Sequence, residues 1–137
     1  MRDILFKGKS LWDGKWVEGF YIHISEGEGT YDREHHYIQT DYKGQFGPRY
    51  EVIPETVGQY IGKCDKNGNR IFEGDILERQ YGNGWKERIV ICFDESSFNY
   101  YNINSKPEMG DPIDDSEYGT TVSDYKVIGN IHDKKEK

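Results

Sequence analysis

The sequence predicts an all-β, or at least mostly β, fold in the form of a small barrel or roll. Aromatic residues make up 15% of the 137 residues, and aromatic side chains favour strands. Sixteen glycines against four prolines indicate many tight turns and few rigid linkers. Short apolar segments alternate with turn signals, and no apolar series at helical spacing persists, so no helix of ordinary length is expected.

The N-terminal part is predicted to hold two strands and a hairpin. A short first strand covers residues 4–6, where apolar residues stand between charges. Asp13-Gly14 tolerates the positive φ angles of a type I′ turn, which predicts a hairpin. Apolar side chains then recur at every second position between Trp16 and Ile24, so a half-buried strand is expected there.

Two polar segments, residues 25–50 and 104–121, are predicted to be long loops. The first is interrupted by a short strand at 37–40, and a single helical turn is expected at Pro54, because proline is tolerated in a first turn. Long loops are often functional or ordered by a partner. We therefore expect these two loops to mediate self-association or partner docking, with Tyr37 and Tyr118 as candidate interface residues.

The second half is predicted to be a series of strands separated by glycine-containing turns. Asn67-Gly68 is the strongest hairpin signal, and Gly74 is expected to mark a bulge within one strand. A continuous apolar run from Ile89 to Phe93 predicts a strand that is covered on both faces. The strands expected here cover residues 59–64, 71–79, 86–93, 98–103 and 125–131.

Charge and composition argue against several classes of partner. The formal net charge is −7 and the basic residues form no stripe, so tight DNA binding is not expected. No apolar stretch is long enough for a membrane span, and we expect a cytoplasmic protein. The two cysteines form no CxxC motif and are expected to be reduced thiols rather than a disulfide framework.

Residues 57–77 contain Gln59-Tyr60-Ile61-Gly62 and Ile71-Phe72-Glu73-Gly74-Asp75-Ile76, and residues 125–132 contain Val127-Ile128-Gly129-Asn130-Ile131. These two blocks resemble the central and closing signatures of the YopX family of phage and prophage proteins. The resemblance implies a bacterial host, an SH3-like barrel portion with additional hairpins, and no established activity. We expect one YopX-like domain at 1–132 and a charged tail at 133–137. The matching central residues are Gln59, Tyr60, Gly62, Asp65, Gly68, Ile71, Phe72, Glu73, Gly74, Asp75 and Ile76.

The central signature has a structural and a functional interpretation. Asp65 and Asp75 follow or precede glycine-containing turns, where a carboxylate can accept hydrogen bonds from the backbone of its own turn. The alternative is that Gln59, Glu73 and Asp75 line a ligand surface. Turn chemistry of this kind is common in small β folds, so the structural interpretation is favoured.

No motif predicts a cofactor or a metal ion. His35-His36 lies near Asp32 and Glu34, but adjacent residues of a strand point to opposite faces, so one ion would rarely bind both histidines. The acidic residues around 111–117 lack the spacing of an EF-hand. We therefore expect no metal site, no cofactor and no effect of chelators on stability.

Aromatic residues are the remaining candidates for binding. Trp12, Trp16 and Trp85, with Tyr21, could form a platform for an extended ligand, although core and rim roles are the commoner use of such residues. No nucleophile motif is present, and no catalytic residue is predicted. The leading hypothesis is a non-enzymatic accessory protein that binds a phage or host protein or assembles with itself. The alternatives are an enzyme whose site is built from distant residues and a nucleic-acid accessory factor.

Overall fold

The chain folds into antiparallel β-sheet, and the prediction of an all-β protein is confirmed. The computed structural model describes residues 4–26, 33–42, 45–94, 97–104, 111–113 and 122–133. Within these ranges eleven strands form two antiparallel sheets. The chain divides into two compact units, residues 1–60 and 61–137. No helix in the described ranges is long and apolar enough to cross a membrane.

The first unit is built on a meander of long strands. Strands β1 to β4 lie in the order β4-β3-β2-β1, and the start of β5 pairs with β1 on the other side. The register places Phe6 opposite Gly19 and His23 opposite His36. A 3-10 turn at Pro54–Thr56 confirms the helical turn predicted at Pro54. The strands are β1 Phe6–Lys9, β2 Trp16–Glu26, β3 Arg33–Tyr42 and β4 Gln45–Glu51.

The second unit carries a five-stranded sheet and a short hairpin. Strand β5 (Gly58–Cys64) runs from the first unit into the second, where it is followed by β6. The remaining strands form a sheet in the order β10-β9-β8-β7-β11. The strands are β6 Arg70–Phe72, β7 Asp75–Gln80, β8 Lys86–Asp94, β9 Ser97–Asn102, β10 Asp111–Pro112 and β11 Lys126–Asn130.

The prediction that residues 25–50 form a long loop is wrong. Strand β2 extends to Glu26, and β3 and β4 occupy most of the remainder. These strands form because each pairs along its length with a neighbour, and this pairing satisfies the hydrogen-bonding groups of the backbone. The polar side chains of the segment gave no sign of that pairing. In the second predicted loop, Asp111–Pro112 pairs with β9, whereas residues 105–110 and 114–121 lie outside the described part.

Two predicted turns differ in detail from the observed ones. The hairpin at Asp13-Gly14 forms, but Ser10 N donates to Lys15 O at 2.9 Å, so residues 11–14 make a longer loop than a type I′ turn. Gly74 is not a bulge within one strand. It lies in a turn that ends β6 and begins β7, and these two strands belong to different sheets.

The predictions of a single domain and of a barrel specify more detail than the two sheets and two units define. Neither of the two sheets formed by the described residues closes into a barrel, so the SH3-like portion stays a prediction. The single domain at 1–132 also stays a prediction beside the two compact units. Residues 134–137 of the predicted tail lie outside the described ranges.

Candidate functional site

Asp65 holds together the hairpin that the signature predicted. Its Oδ1 accepts hydrogen bonds from the backbone N–H groups of Asn67 and Asn69, at 2.9 and 2.8 Å. Its Oδ2 accepts one from the N–H of Val127 in β11, at 2.9 Å. Gly68 completes the turn with a φ of 82°. The structural interpretation of this residue is confirmed, because its carboxylate is committed to backbone groups of its own unit.

Asp75 has the same role at the next turn of the signature. Its Oδ2 accepts a hydrogen bond from Phe72 N at 2.8 Å, and its Oδ1 accepts one from Asn130 Nδ2 at 2.9 Å. The side chain is 0% exposed, so this member of the candidate ligand surface lies inside the protein. Gln59 and Glu73, the other two candidates, are half-buried.

Gly74 joins strands through its backbone. Its N–H donates to Ile91 O in β8 at 2.7 Å, and its carbonyl accepts from Ile131 N at 2.9 Å. The residue adopts a φ of 91°, a conformation that side chains with a Cβ rarely adopt. Backbone geometry in the second unit therefore explains why glycine stands at this position of the signature.

The turn between β1 and β2, residues 11–14, holds apolar side chains in solvent on a firmly bonded backbone. Leu11 is 55% and Trp12 is 94% exposed. Leu11 N donates to Glu51 O at 2.9 Å, and Trp12 N donates to the hydroxyl oxygen of Ser10 at 3.1 Å. We call this segment the Trp12 turn. It begins a groove of about 320 Å³ that is lined by Asp13, Lys15, Trp16, Val17, Thr40 and Tyr50.

The turn between β7 and β8 in the second unit, residues 81–85, has a similar construction. Tyr81 N donates to Trp85 O at 2.7 Å, and Trp85 N donates to Asn83 Oδ1 at 3.0 Å. Trp85 is 69% exposed. We call this segment the Trp85 turn. Both turns contain a glycine with positive φ after an Asp or Asn whose side chain accepts a backbone hydrogen bond.

The other aromatic candidates occupy different environments. Trp16 is half-buried on β2, and the Lys7 ammonium lies 4.7 Å from the centre of its ring. Tyr37 is half-buried on β3, stacked on His35 and with the Arg49 guanidinium 4.5 Å above its ring. Tyr37 is therefore a strand residue rather than a loop residue. Tyr118 lies outside the described residues.

A cluster of potential metal ligands lies on one face of β2 and β3. The rings of His23 and His36 stack across the two strands with centroids 4.4 Å apart. Glu34 joins them, with Oε2 3.8 Å from His23 Nε2. One ligand atom from each of the three residues lies within 4.8 Å of the others. We call these three residues the His23 cluster.

Tyr21 and His35 show how the histidines are sorted between the two faces. Tyr21 Oη is hydrogen-bonded to His36 Nδ1 on the face of the His23 cluster. Burial, and then the charge of Glu34, raises the pKa of Tyr21. His35 Nδ1 lies 2.9 Å from Glu51 Oε2 instead. The two adjacent histidines lie on β3 and point to opposite faces, so the prediction that this part of the chain is a polar loop is wrong.

The His23 cluster was not predicted from the sequence, because His23 is not a neighbour of Glu34 and His36 in the chain. His23 and His36 become neighbours through the register of β2 and β3, and residues 25–50 were not expected to form long strands. A signal was present, because Tyr21 and His23 alternate with the apolar residues of the strand predicted from Trp16 to Ile24.

The protein is all-β and contains two antiparallel sheets. The residues of its central signature form the turns at Asp65 and Asp75. The family model described as "YopX protein" matches residues 6–137, and the chain belongs to the YopX family. The resemblance stated from the two signature blocks is confirmed.

A solved structure that is similar to this chain is described as "Crystal structure of protein EF1440 from Enterococcus faecalis". The TM-score is 0.49 at 17% sequence identity, covering 96% of this chain and 95% of that chain. A comparison with curated proteins finds no match.

Proposed function

We propose that this protein is a non-enzymatic accessory protein of a phage or prophage that acts by binding another protein or a second copy of itself. The observation that carries the proposal is the Trp12 turn. Its backbone is held by hydrogen bonds on both sides, yet it places Leu11 and Trp12 in solvent at 55% and 94% exposure. Trp is enriched among the residues that dominate binding energy at protein interfaces.

The rigidity of the Trp12 turn favours a binding role over an incidental one. A flexible loop loses conformational entropy when a partner orders it, and a loop that is already ordered loses less. Gly14 N donates to Ser10 O at 2.9 Å, and Lys15 N donates to Asp13 Oδ1 at 3.0 Å. Truncating a central Trp at an interface commonly costs about 2 kcal/mol or more of binding free energy.

The partner we propose is a protein segment that covers Trp12 and enters the adjoining groove. The groove offers the ring of Trp16 with polar groups from Asp13 and Thr40 at its edge. An apolar patch next to a few polar groups is typical of the core and rim of a protein interface. The Trp85 turn of the second unit is a separate candidate for partner binding, and the Trp85→Ser variant tests it.

The origin, location and finer fold remain parts of the proposal. A phage or prophage source and a cytoplasmic location in a bacterial host are supported by the family resemblance. The SH3-like portion is supported by the same resemblance alone. The acidic net charge of −7 supports a protein partner over nucleic acid, because phosphates would be repelled at low salt.

Self-association is tested first by light scattering over a wide range of protein concentration. We expect a second copy to be the partner if the mass rises from that of the 16.1 kDa monomer toward a dimer. The Leu11→Ser/Trp12→Ser double variant should then stay monomeric at all concentrations. The matched control is Glu55→Ser, an exposed position of the first unit outside the Trp12 turn and the groove, and it should associate like the unchanged protein.

If the protein stays monomeric, affinity capture from lysogenic cells tests for a different partner. We expect one protein to be retained by the unchanged chain and by Glu55→Ser but lost with the Leu11→Ser/Trp12→Ser variant. Binding of the purified partner should then be measured by calorimetry. If the Leu11→Ser/Trp12→Ser variant retains as much of this protein as the unchanged chain does, the proposed role of the Trp12 turn is wrong. The same result with Trp85→Ser would contradict a binding role for the Trp85 turn.

A further inference from the structure

The His23 cluster has the donor atoms of a transition-metal site. It combines two imidazoles and one carboxylate, a set that zinc accepts in proteins together with a water molecule in an open fourth position. Its ligand atoms lie within 4.8 Å of one another. Two ligands of a tetrahedral zinc ion are about 3.3 Å apart, given metal–nitrogen and metal–oxygen distances of about 2.0–2.1 Å. The rings of His23 and His36 lie nearly parallel, at 8°, so they must tilt toward each other for both nitrogens to reach one ion.

We propose that His23, Glu34 and His36 bind one divalent zinc ion. His23 and Glu34 are exposed and His36 is half-buried, so a hydrated ion can reach the cluster. The backbone needs no change, because the register of β2 and β3 places His23 opposite His36, and Glu34 lies two residues from His36 on the same face of β3. The ion would join the two strands through side chains on one face.

A supporting residue orients His36. Tyr21 Oη is hydrogen-bonded to Nδ1 of this imidazole. This bond fixes the orientation of the ring and leaves Nε2 as the nitrogen that can bind the metal. With zinc on Nε2, Nδ1 carries the proton and donates it to the oxygen of Tyr21. The Tyr21 ring is itself held by Phe6, whose ring centre lies 5.4 Å away. Such supporting partners of a ligating histidine commonly change metal affinity when they are removed.

His35 provides a matched control within the same strand. It is adjacent to His36, but its Nδ1 faces Glu51 at 2.9 Å on the other side of the sheet. The chain has four histidines, at positions 23, 35, 36 and 132. A site on the His23 cluster therefore predicts that positions 35 and 132 are indifferent to zinc, whereas nonspecific binding to histidine predicts no such division.

The test is calorimetric titration of the untagged, metal-free protein with zinc chloride, in a Cys64→Ser background that removes the exposed thiol. We expect one ion per chain. His23→Gln, Glu34→Gln and His36→Gln should each weaken binding by about tenfold or more, and Tyr21→Phe by about 10- to 100-fold. His35→Gln should bind like the background protein.

Proton NMR of the imidazoles supplies a second readout that does not depend on the variants folding. Zinc should shift or broaden the ring signals of His23 and His36 and leave those of His35 and His132 unchanged. Absence of zinc binding by the background protein at millimolar concentration would overturn the proposal. Equal shifts at all four histidines, or equal weakening by His35→Gln and His36→Gln, would overturn it as well.

Discussion

The two units of this chain differ in what their interiors are made of. In the second unit seven buried apolar residues form one cluster: Ile61, Ile71, Leu77, Ile89, Ile91, Val122 and Tyr125. In the described part of the first unit, the buried apolar side chains are Ile38 and Val52, and they are accompanied by the buried polar residues Lys9, Ser10 and Thr56. The first unit instead stacks aromatic and histidine rings across its strands.

This difference separates stability from binding chemistry. Burial of apolar area is the dominant favourable term in folding, so the second unit should contribute most of the free energy of unfolding. Stacked His and Tyr rings contribute less, but they retain polar groups that a ligand can use. The contrast teaches that the family signature lies mainly in the unit with the larger apolar core, whereas the Trp12 turn and the His23 cluster lie in the first unit.

The largest expected effect comes from removing apolar volume in the second unit. Leu77 is 0% exposed and belongs to the buried cluster, so Leu77→Ala should lower the free energy of unfolding by about 3–4 kcal/mol through lost burial and a cavity. Ile22→Ala, at a half-buried position of the first unit, should cost about 1 kcal/mol. Urea denaturation followed by circular dichroism measures both. Equal losses would remove the proposed difference between the units.

The next effect tests the signature glycine. Gly74→Val should cost about 2 kcal/mol, because φ is 91° and an added Cβ would lie 3.2 Å from Asn130 Nδ2. Gly84 is the matched control, since its φ is 86° and a Cβ there would meet nothing within 4 Å. Gly84→Val should therefore cost about 1 kcal/mol, from backbone strain alone. Thermal unfolding that is unchanged in Gly74→Val would contradict the structural role of the signature.

The turns could be predicted from the sequence because their signals are local. Asp65 accepts hydrogen bonds from Asn67 and Asn69 in the turn that holds Gly68, and residue type alone indicates a turn there. The hydrogen bond from Val127 to Asp65 and the backbone bonds of Gly74 to distant strands were not predictable in this way. The apolar run from Ile89 onward was likewise informative, since Ile89, Val90 and Ile91 are all buried in β8. The same run did not show that Phe93 would be 47% exposed, because burial depends on which strands lie beside it.

Pairing between distant strands could not be predicted in the same way. Residues 25–50 carry few apolar residues. Strand β3 is stabilised by pairing with β2 and β4, and the local sequence does not indicate which strands will pair. The His23 cluster depends on that register, because a shift of one residue would place His36 on the other face. Trp12, Trp16 and Trp85 could be chosen as binding candidates from residue type, but the exposure of Trp12 and the half-burial of Trp16 depend on the turn and its neighbours.

A smaller effect of pH is expected from the second unit. Burial alone raises the pKa of the Asp65 carboxyl. Hydrogen bonds from the N–H groups of Val127, Asn69 and Asn67 outweigh burial and hold the pKa below its ordinary value of 3.8. A depressed native pKa stabilises the fold above the unfolded pKa, and this contribution is lost as the pH falls through the native value. Stability should therefore decline below about pH 4.

The Asp65→Asn variant isolates this contribution. The amide cannot accept as many hydrogen bonds as the carboxylate, so the variant should lose about 1–2 kcal/mol at neutral pH. Its free energy of unfolding should then change less than that of the unchanged protein on acidification below about pH 4. Urea unfolding at neutral and acidic pH gives the comparison. Parallel acid profiles for the two proteins would assign the acid sensitivity to other carboxylates.

The smallest effect on stability is expected at the Trp12 turn. Leu11 and Trp12 are exposed, so Leu11→Ser/Trp12→Ser should change the free energy of unfolding by less than about 0.5 kcal/mol. The backbone hydrogen bonds of the turn, including Leu11 N to Glu51 O, do not depend on these side chains. A stability-neutral variant that abolishes binding would therefore locate the function in the first unit. A loss of stability as large as that of Leu77→Ala would instead show that Trp12 is part of the folded interior, and the division between a stabilising unit and a binding unit would fail.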